Sequence, residues 1–256
     1  MTNKKYFIGN WKMFGDIGSF KIINKINQFY VKSSKYKNKA KIILCVPNTL
    51  IQIFRNKLDK KKTNKTIFLG AQNCHFSETY GPFTGFVNAS MLKSAGADFV
   101  ILGHSENRQS GETNKLIKKK IDSSLKQKLN IIFCIGETLK EKNKRKTFYI
   151  LKKQIRESIL KNYDSNKILL AYEPVWSIGT NKLLKVEDLQ KIITFIKKEL
   201  KKIFHNKKIP MILYGGSVNP KNIQMFSSIN EIDGFLIGGA SQSPKKFIDI
   251  IKNYYK

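Results

Sequence analysis

The segment Ile168-Leu169-Leu170-Ala171-Tyr172-Glu173-Pro174-Val175-Trp176-Ser177-Ile178-Gly179-Thr180 joins an apolar run to a single carboxylate and a short loop. The apolar run shows no polar alternation, which is typical of a strand buried on both faces of a sheet. Glu173 follows it directly, so its carboxylate can be shielded from water and act as a base. Pro174 and the small residues after it predict a loop that closes over a bound molecule. The segment therefore indicates an enzyme whose reaction requires the exclusion of water.

Similar apolar runs recur along the whole 256-residue chain, separated by Lys-rich segments with helical spacing of apolar residues. Eight strand–helix alternations in this length predict an α/β fold, a (β/α)8 barrel, with a doubly wound open sheet as the alternative. The even spacing and the absence of a linker favour the closed barrel and a single domain over residues 1–256. The predicted strands are Tyr6–Gly9, Lys41–Val46, Ile67–Gln72, Phe99–Gly103, Asn130–Ile135, Ile168–Tyr172, Met211–Tyr214 and Gly234–Ile237.

Three of the intervening segments carry apolar stripes that repeat every three or four residues, which places each stripe on one helix face. We interpret these faces as packing against the sheet rather than as partner-binding surfaces. The Lys-rich stretches at 57–65 and 140–146 are predicted to be surface loops or helix ends. The stripes are Ile22, Ile23, Ile26, Phe29 and Tyr30; Leu116, Ile117, Ile121, Leu125 and Leu129; and Leu189, Ile192, Ile193, Ile196, Leu200 and Ile203.

The chain carries 48 Lys and Arg against 18 Asp and Glu, a formal net charge of +30. Such a charge is typical of proteins that bind nucleic acid. However, only four of the basic residues are Arg, the residue preferred for recognising phosphates and base edges. Lys, Asn and Ile are all abundant, and all have AT-rich codons. We therefore attribute the charge to composition and predict no nucleic-acid partner, while the positive field can speed the arrival of an anionic substrate.

Composition also bounds the class of protein. An apolar content of 41% indicates a globular chain. No apolar run reaches the roughly 18 residues of a membrane span, and the N-terminus lacks the apolar core of a signal peptide. We predict a cytoplasmic protein without a membrane partner. Cys45, Cys74 and Cys134 lie in or beside apolar runs without CxxC spacing, which predicts buried free thiols rather than disulfides or a metal site.

Polar residues follow several of the predicted strands. Asn10 and Lys12 follow the first strand, His104 the fourth and Glu173 the sixth. In a barrel the carboxyl ends of the strands converge on one face, where active sites lie. A carboxylate base, an imidazole that polarises a carbonyl, and an ammonium would meet there. The ammonium needs an anionic partner, such as a substrate oxygen or Glu106.

Glycine pairs follow the seventh and eighth strands, in Tyr214-Gly215-Gly216-Ser217 and Gly238-Gly239. Their backbone amides can hold an anion, and loops at these two places in such barrels often bind phosphate. Gly179 adds another amide when its loop closes. The sequence has no cluster of metal ligands, so we predict no metal or other cofactor. The set indicates proton transfer next to a carbonyl in a small phosphorylated substrate. The alternatives are another phosphate-binding barrel, such as an epimerase or synthase, and a basic nucleic-acid-binding or degenerate scaffold protein.

These motifs resemble those of the triosephosphate isomerase family, in the family's order and over nearly the whole chain. The resemblance implies a TIM barrel, a homodimer, and interconversion of glycerone phosphate (dihydroxyacetone phosphate) and D-glyceraldehyde 3-phosphate without a cofactor. The matching motifs are Gly9-Asn10-Trp11-Lys12-Met13, Ala71-Gln72-Asn73, Gly103-His104-Ser105-Glu106, Cys134-Ile135-Gly136-Glu137, Ala171-Tyr172-Glu173-Pro174-Val175-Trp176, Ile178-Gly179-Thr180, Tyr214-Gly215-Gly216-Ser217-Val218 and Gly234-Phe235-Leu236-Ile237-Gly238-Gly239-Ala240-Ser241.

The resemblance also implies the role of each site residue. Glu173 would be the base, and neutral His104 would polarise the carbonyl and shuttle protons. Lys12 would stabilise negative charge, and Asn10 would help to place the substrate oxygens. The others would hold phosphate through backbone amides (Gly179, Ser217, Gly238, Gly239), support the site (Ser105, Glu106, Tyr214) or pack around the base (Ile178, Leu236).

Several positions depart from the family's usual residues. Phe86 stands where Glu is usual and Asn107 where Arg is usual. We hypothesise that an ion pair at the dimer contact has been lost on both sides, which leaves no unpaired charge. The loop Phe76–Phe86 is predicted to insert into a partner near its Lys12. Ser177 replaces Ala, and the lid's far hinge reads Asn181-Lys182-Leu183-Leu184 in place of Gly-Lys-Thr-Ala; we expect altered lid kinetics and retained activity.

Overall fold

Eight parallel strands close into a barrel in which each strand pairs with the next and the last pairs with the first. The computed structural model describes residues 4–59, 67–180 and 182–256. The closed order confirms the predicted barrel and excludes the open doubly wound sheet. The strands are β1 (Lys5–Asn10), β2 (Ala40–Cys45), β3 (Phe68–Ala71), β4 (Phe99–Leu102), β5 (Asn130–Ile135), β6 (Ile168–Tyr172), β7 (Met211–Tyr214) and β8 (Gly234–Ile237).

Helices connect the strands and surround the barrel. The described residues contain ten α-helices, together with short 3-10 turns such as Val175–Ser177 and Gly239–Gln242. None of the described helices is long and apolar enough to cross a membrane. The α-helices are α1 (Phe20–Lys32), α2 (Ser34–Lys37), α3 (Asn48–Asp59), α4 (Ala89–Ser94), α5 (Ser105–Gln109), α6 (Asn114–Lys126), α7 (Leu139–Asn143), α8 (Thr147–Ser158), α9 (Val186–Ile203) and α10 (Pro244–Tyr254).

Two apolar layers explain why the strands read as continuous apolar runs. In β2, Ile43 and Cys45 belong to the cluster that fills the barrel, whereas Ile42 and Leu44 belong to the cluster between the strands and the helices. Alternate residues of a strand point to opposite faces, so both faces must be apolar. Cys45, Cys74 and Cys134 are all buried and free, as predicted.

Most residues of the predicted apolar stripes face this outer layer, but Leu129 lies beyond the end of α6 and Leu116 lines a surface cavity instead. In α9, Leu189, Ile193 and Ile196 are fully buried, and exposed Lys residues cover much of the opposite face. The Lys-rich stretch at 140–146 contains α7 and its exposed end, as predicted. The stretch at 57–65 includes the end of α3, whereas residues 60–66 lie outside the described residues.

Closure of the barrel depends on a close approach between β8 and β1. Gly234 pairs with Tyr6, and a Cβ atom at Gly234 would lie only 2.2 Å from the backbone oxygen of Tyr6 and 2.6 Å from its backbone nitrogen. Neither backbone atom can move without displacing β1 as a whole. A glycine is therefore required at the seam that closes the barrel.

We predict that Gly234→Ala lowers the free energy of unfolding by about 3 kcal/mol, the upper end of the usual cost of overpacking, because the clash is with backbone. Chemical unfolding monitored by circular dichroism measures this loss. Gly18→Ala is the matched control, since Gly18 is exposed and its nearest neighbour is the flexible Asp16 carboxylate at 3.3 Å. Equal stabilities of the two variants would contradict the prediction.

Candidate active site

The carboxyl ends of the strands bring the predicted polar residues to one rim of the barrel. Asn10 ends β1, His104 follows β4 and Glu173 directly follows β6. A cavity of about 340 Å³ opens at this rim. Its walls contain most of the predicted site residues, namely Asn10, Lys12, His104, Glu173, Ile178, Gly179, Ser217, Leu236, Gly238 and Gly239.

Some residues that line the cavity were not predicted from the sequence, and some predicted residues lie outside its lining. Val218, Asn219, Ala240 and Gln242 also line the walls. They lie in the loops after β7 and β8. Val218 and Ala240 belong to the matching motifs but had no predicted role, and their position in those loops was the available signal for all four residues. Ser105, Glu106 and Tyr214 are not part of this lining, although Glu106 lines a neighbouring cavity together with Asn10 and Lys12; their supporting roles stay predictions.

Glu173 is buried, with 5% of its surface exposed. Its Oε2 atom lies 3.6 Å from Nε2 of His104. In the described part of the chain no group donates a hydrogen bond to its buried Oε1 atom. Burial, followed by the charge of Glu173, raises the pKa of the neighbouring Cys134 thiol well above its usual value, so the thiol stays protonated. A carboxylate oxygen that is kept from water and from donors is available to accept a proton from a bound molecule.

His104 presents an N–H group to the cavity. It precedes α5, and its Nδ1 atom accepts a hydrogen bond from the backbone N–H of Glu106 at 3.3 Å. An accepting nitrogen carries no proton, so the proton of the neutral ring is on Nε2, the atom that faces Glu173. The side chain is almost completely buried. The ring is thus placed to donate a hydrogen bond to an oxygen in the cavity.

Lys12 contributes the ammonium of the site. Its Nζ atom forms an ion pair with Oε1 of Glu106, so Glu106 is the anionic partner in this structure. The Lys12 backbone has a φ of +56°, a left-handed conformation that is unfavourable for a residue with a Cβ atom. The Lys12 N–H donates to Oδ1 of Asn10 at 3.0 Å. Asn10 therefore supports the backbone from which the ammonium extends.

The glycines after β8 and those after β7 serve different purposes. A Cβ atom at Gly239 would meet nothing within 4 Å, so its backbone is open to the cavity. At Gly215, by contrast, a Cβ atom would lie 2.4 Å from Cγ of Glu173. Gly215 is therefore required because the side chain of Glu173 passes directly over it.

The loop after Glu173 is anchored by Glu137, which belongs to the matching motif after the fifth strand and had no predicted role. Buried Glu137 accepts hydrogen bonds from Nε1 of Trp176 at 2.9 Å and from the hydroxyl of Tyr172. Lys142 places its ammonium over the Trp176 ring, 3.4 Å from the centroid. Burial raises the pKa of Glu137, and its hydrogen bonds and Lys142 partly offset this shift. The indole ring of Trp176 is thus held by a hydrogen bond from its Nε1–H group and by the Lys142 ammonium over its face.

Ser177, which departs from the family's usual Ala, also has a structural partner. Its buried Oγ donates to the backbone oxygen of Lys182 at 2.5 Å and lies 3.4 Å from the backbone nitrogen of Ser217. The Ser177 hydroxyl therefore connects the near and far sides of the loop, and it connects the loop to the segment that follows β7. Asn181 lies outside the described residues, whereas Leu184 is buried in the outer core. The expected change in lid kinetics stays a prediction.

The sequence matches a known protein family over almost its whole length. The family model described as Triosephosphate isomerase matches residues 5–254. The chain belongs to the triosephosphate isomerase family. Triosephosphate isomerase of Dictyoglomus thermophilum is 41% identical over 256 residues, which cover 98% of this chain and 99% of the relative. The enzyme of Buchnera aphidicola is 40% identical, with coverage of 97% and 98%.

A solved triosephosphate isomerase structure is also similar. The crystal structure of the enzyme from Bartonella henselae superposes with a TM-score of 0.88 at 33% sequence identity, covering 99% of this chain and all of that chain. Among residues 4–59, 67–180 and 182–256, no group of three or more His, Cys, Asp or Glu side chains is arranged to hold a metal ion. The fold described above is therefore that of the triosephosphate isomerase family.

We predict that Gly215→Ala lowers turnover in an isomerase assay by about 100-fold, since displacing a reacting group by about 1 Å has a cost of this order. The new Cβ atom would lie 2.4 Å from Cγ of Glu173, which must move away to restore ordinary contact. Measurement of kcat on the folded variant checks this. Gly18→Ala serves again as the control, and unchanged turnover in Gly215→Ala would count against the packing argument.

Proposed function

We propose that this chain catalyses the reversible interconversion of glycerone phosphate and D-glyceraldehyde 3-phosphate, a step of glycolysis and gluconeogenesis. The main support is the pairing at the rim: a buried carboxylate, Glu173, lies 3.6 Å from the N–H-bearing nitrogen of a neutral imidazole, His104. Base and electrophile face one cavity, which also contains the Lys12 ammonium and open glycine backbone. Family membership supports the same reaction.

In the first step Glu173 removes a proton from the carbon next to the substrate carbonyl. The electron pair of that C–H bond forms the carbon–carbon double bond of an enediolate, and negative charge moves to the carbonyl oxygen. The Nε2–H group of His104 donates to that oxygen, and Lys12 stabilises its charge. Lys12 must then exchange part of its contact with Glu106 for the substrate.

In the second step the proton held by Glu173 is transferred to the other carbon of the enediolate. His104 moves a proton between the two enediolate oxygens, and Glu173 delivers its proton to the carbon that was formerly the carbonyl carbon. Aldose and ketose have the same composition, so no external oxidant or reductant is consumed. In the proposed mechanism His104 and Lys12 stabilise the developing charge, and no redox cofactor is required.

Phosphate binding and exclusion of water complete the proposal. Backbone amides of Gly179, Ser217, Gly238 and Gly239 would hold the phosphate, and all four residues line the cavity. Ile178 and Leu236 line the same cavity and would pack around the base. An enediolate exposed to water can lose its phosphate, so a closed apolar cover protects the intermediate.

We predict that the wild-type protein isomerises glyceraldehyde 3-phosphate and that Glu173→Gln lowers kcat by about 10²- to 10⁴-fold, the usual contribution of a general base. Gln keeps the shape of the side chain but cannot take up the proton. Glu187→Gln is the control, because Glu187 is exposed on α9. An inactive wild-type enzyme, or a fully active Glu173→Gln variant, would overturn the proposal.

The chain is further proposed to act as a homodimer. The loop Phe76–Phe86 exposes Tyr80 by 78% and Phe86 by 63%, and Met13 near the site is fully exposed. Large apolar side chains exposed to this extent support association with a second copy. We also propose a cytoplasmic location, a single domain and no nucleic-acid partner, in keeping with the composition.

Phe86 and Asn107 line the same cavity of about 530 Å³ beside this loop. We predict that Phe86→Glu and Asn107→Arg each weaken the dimer and that the double variant recovers, with a coupling energy on the order of 0.5–3 kcal/mol. Each single change adds an unpaired charge, and together the two charges can form an ion pair. Sedimentation equilibrium of the wild type and the three variants measures both the dimer and the coupling. Additive effects would contradict the lost ion pair, and a monomeric wild type would contradict the dimer.

A further inference from the structure

The peptide group between Trp11 and Lys12 is held at both ends by amide side chains. Its carbonyl oxygen, on Trp11, accepts a hydrogen bond from Nε2 of Gln242 at 2.9 Å. Its N–H group, on Lys12, donates to Oδ1 of Asn10 at 3.0 Å. Both polar groups of a single peptide plane are thus satisfied by side chains from opposite directions. The orientation of this plane is fixed more firmly than one hydrogen bond would fix it.

This peptide needs such support because of the backbone that follows it. Lys12 has a φ of +56°, which most residues with a Cβ atom avoid. Rotation of the peptide plane would relieve the unfavourable conformation and would break both hydrogen bonds. Once the peptide is released, the Lys12 backbone can relax to an ordinary φ, and that relaxation turns the Lys12 side chain away from its present direction. The two amide side chains therefore oppose a movement that would displace the ammonium.

We propose that Gln242 is a positioning residue for Lys12 and acts through the Trp11–Lys12 peptide. The inference rests on the proposed isomerase function of the same rim. Gln242 is the last residue of the 3-10 turn Gly239–Gln242, which follows β8, the strand that pairs with β1. The turn Gly239–Gln242 would thus bind phosphate through its first residues, and it holds the Trp11–Lys12 peptide through Gln242. Phosphate binding and placement of the ammonium share one structural element.

Direct contact of Gln242 with substrate is the competing explanation, because Gln242 also lines the cavity. The two roles differ in their dependence on Lys12. A residue that acts only through the lysine loses its effect when the ammonium is removed, whereas a residue that touches substrate keeps it. A double-mutant cycle separates them.

The test compares Gln242→Met, Lys12→Met and the double variant with the wild type, in kcat and KM. Met keeps the length of the Gln side chain and replaces the Lys side chain up to Cε, and it removes the donors of both. We expect Gln242→Met to lower kcat/KM by about 3- to 10-fold, the value of one neutral hydrogen bond, and to have less than about a twofold effect in the Lys12→Met background. Gln190→Met, on the exposed face of α9, is the matched control and should leave kcat/KM unchanged.

Amide hydrogen exchange gives a second measurement. It can be made whether or not the Lys12→Met variants have measurable activity. If Gln242 fixes the peptide, the amide of Lys12 exchanges faster in Gln242→Met than in the wild type and is unchanged in Gln190→Met. Equal losses of kcat/KM in both backgrounds, or unchanged protection of the Lys12 amide, would overturn the inference. Absence of isomerase activity in the wild type would instead refute the proposed function, whatever the exchange experiment shows.

Discussion

The pairing of β8 with β1 is the contact on which the rest of the structure depends. It converts a row of parallel strands into a closed ring, so that carboxyl ends far apart in sequence face a common centre. Gly234 permits this approach because its missing side chain leaves room for the backbone of Tyr6. Closure brings Gln242, near the C-terminus, to Trp11, near the N-terminus. The seam of the barrel thus supports both the fold and the geometry of the rim.

Enclosure creates the chemical properties of the rim. Buried polar groups are costly unless they are hydrogen-bonded or paired. Buried His104 meets this requirement through a backbone N–H group, whereas the ammonium of Lys12 is partly exposed and pairs with the exposed Glu106. Glu173 has a buried oxygen with no donor in the described part of the chain, which suits a group that must take up a proton. The side chains of the rim therefore have different hydrogen-bonding roles, because each has a different partner.

Departures from the family's pattern have local structural consequences. Ser177 connects the two sides of its loop through Lys182, a contact that the methyl group of Ala does not make. Lys residues account for most of the net charge of +30 and cover helix faces without replacing the core. The Lys residues thus add charge at the surface, whereas Ser177 adds a buried contact within its loop.

The sequence by itself determined the barrel and predicted its main site residues, which the structure brings to one rim. Strands buried on two faces must be apolar throughout, and this signal placed all eight strands within about two residues. Glu173, His104 and Lys12 were identified because each follows such a strand. The steric reason for Gly215, the anchoring by Glu137 and the contact of Gln242 with Trp11 were decided only by the tertiary structure. Each depends on a distance between segments that are remote along the chain, and local periodicity contains no information about such distances.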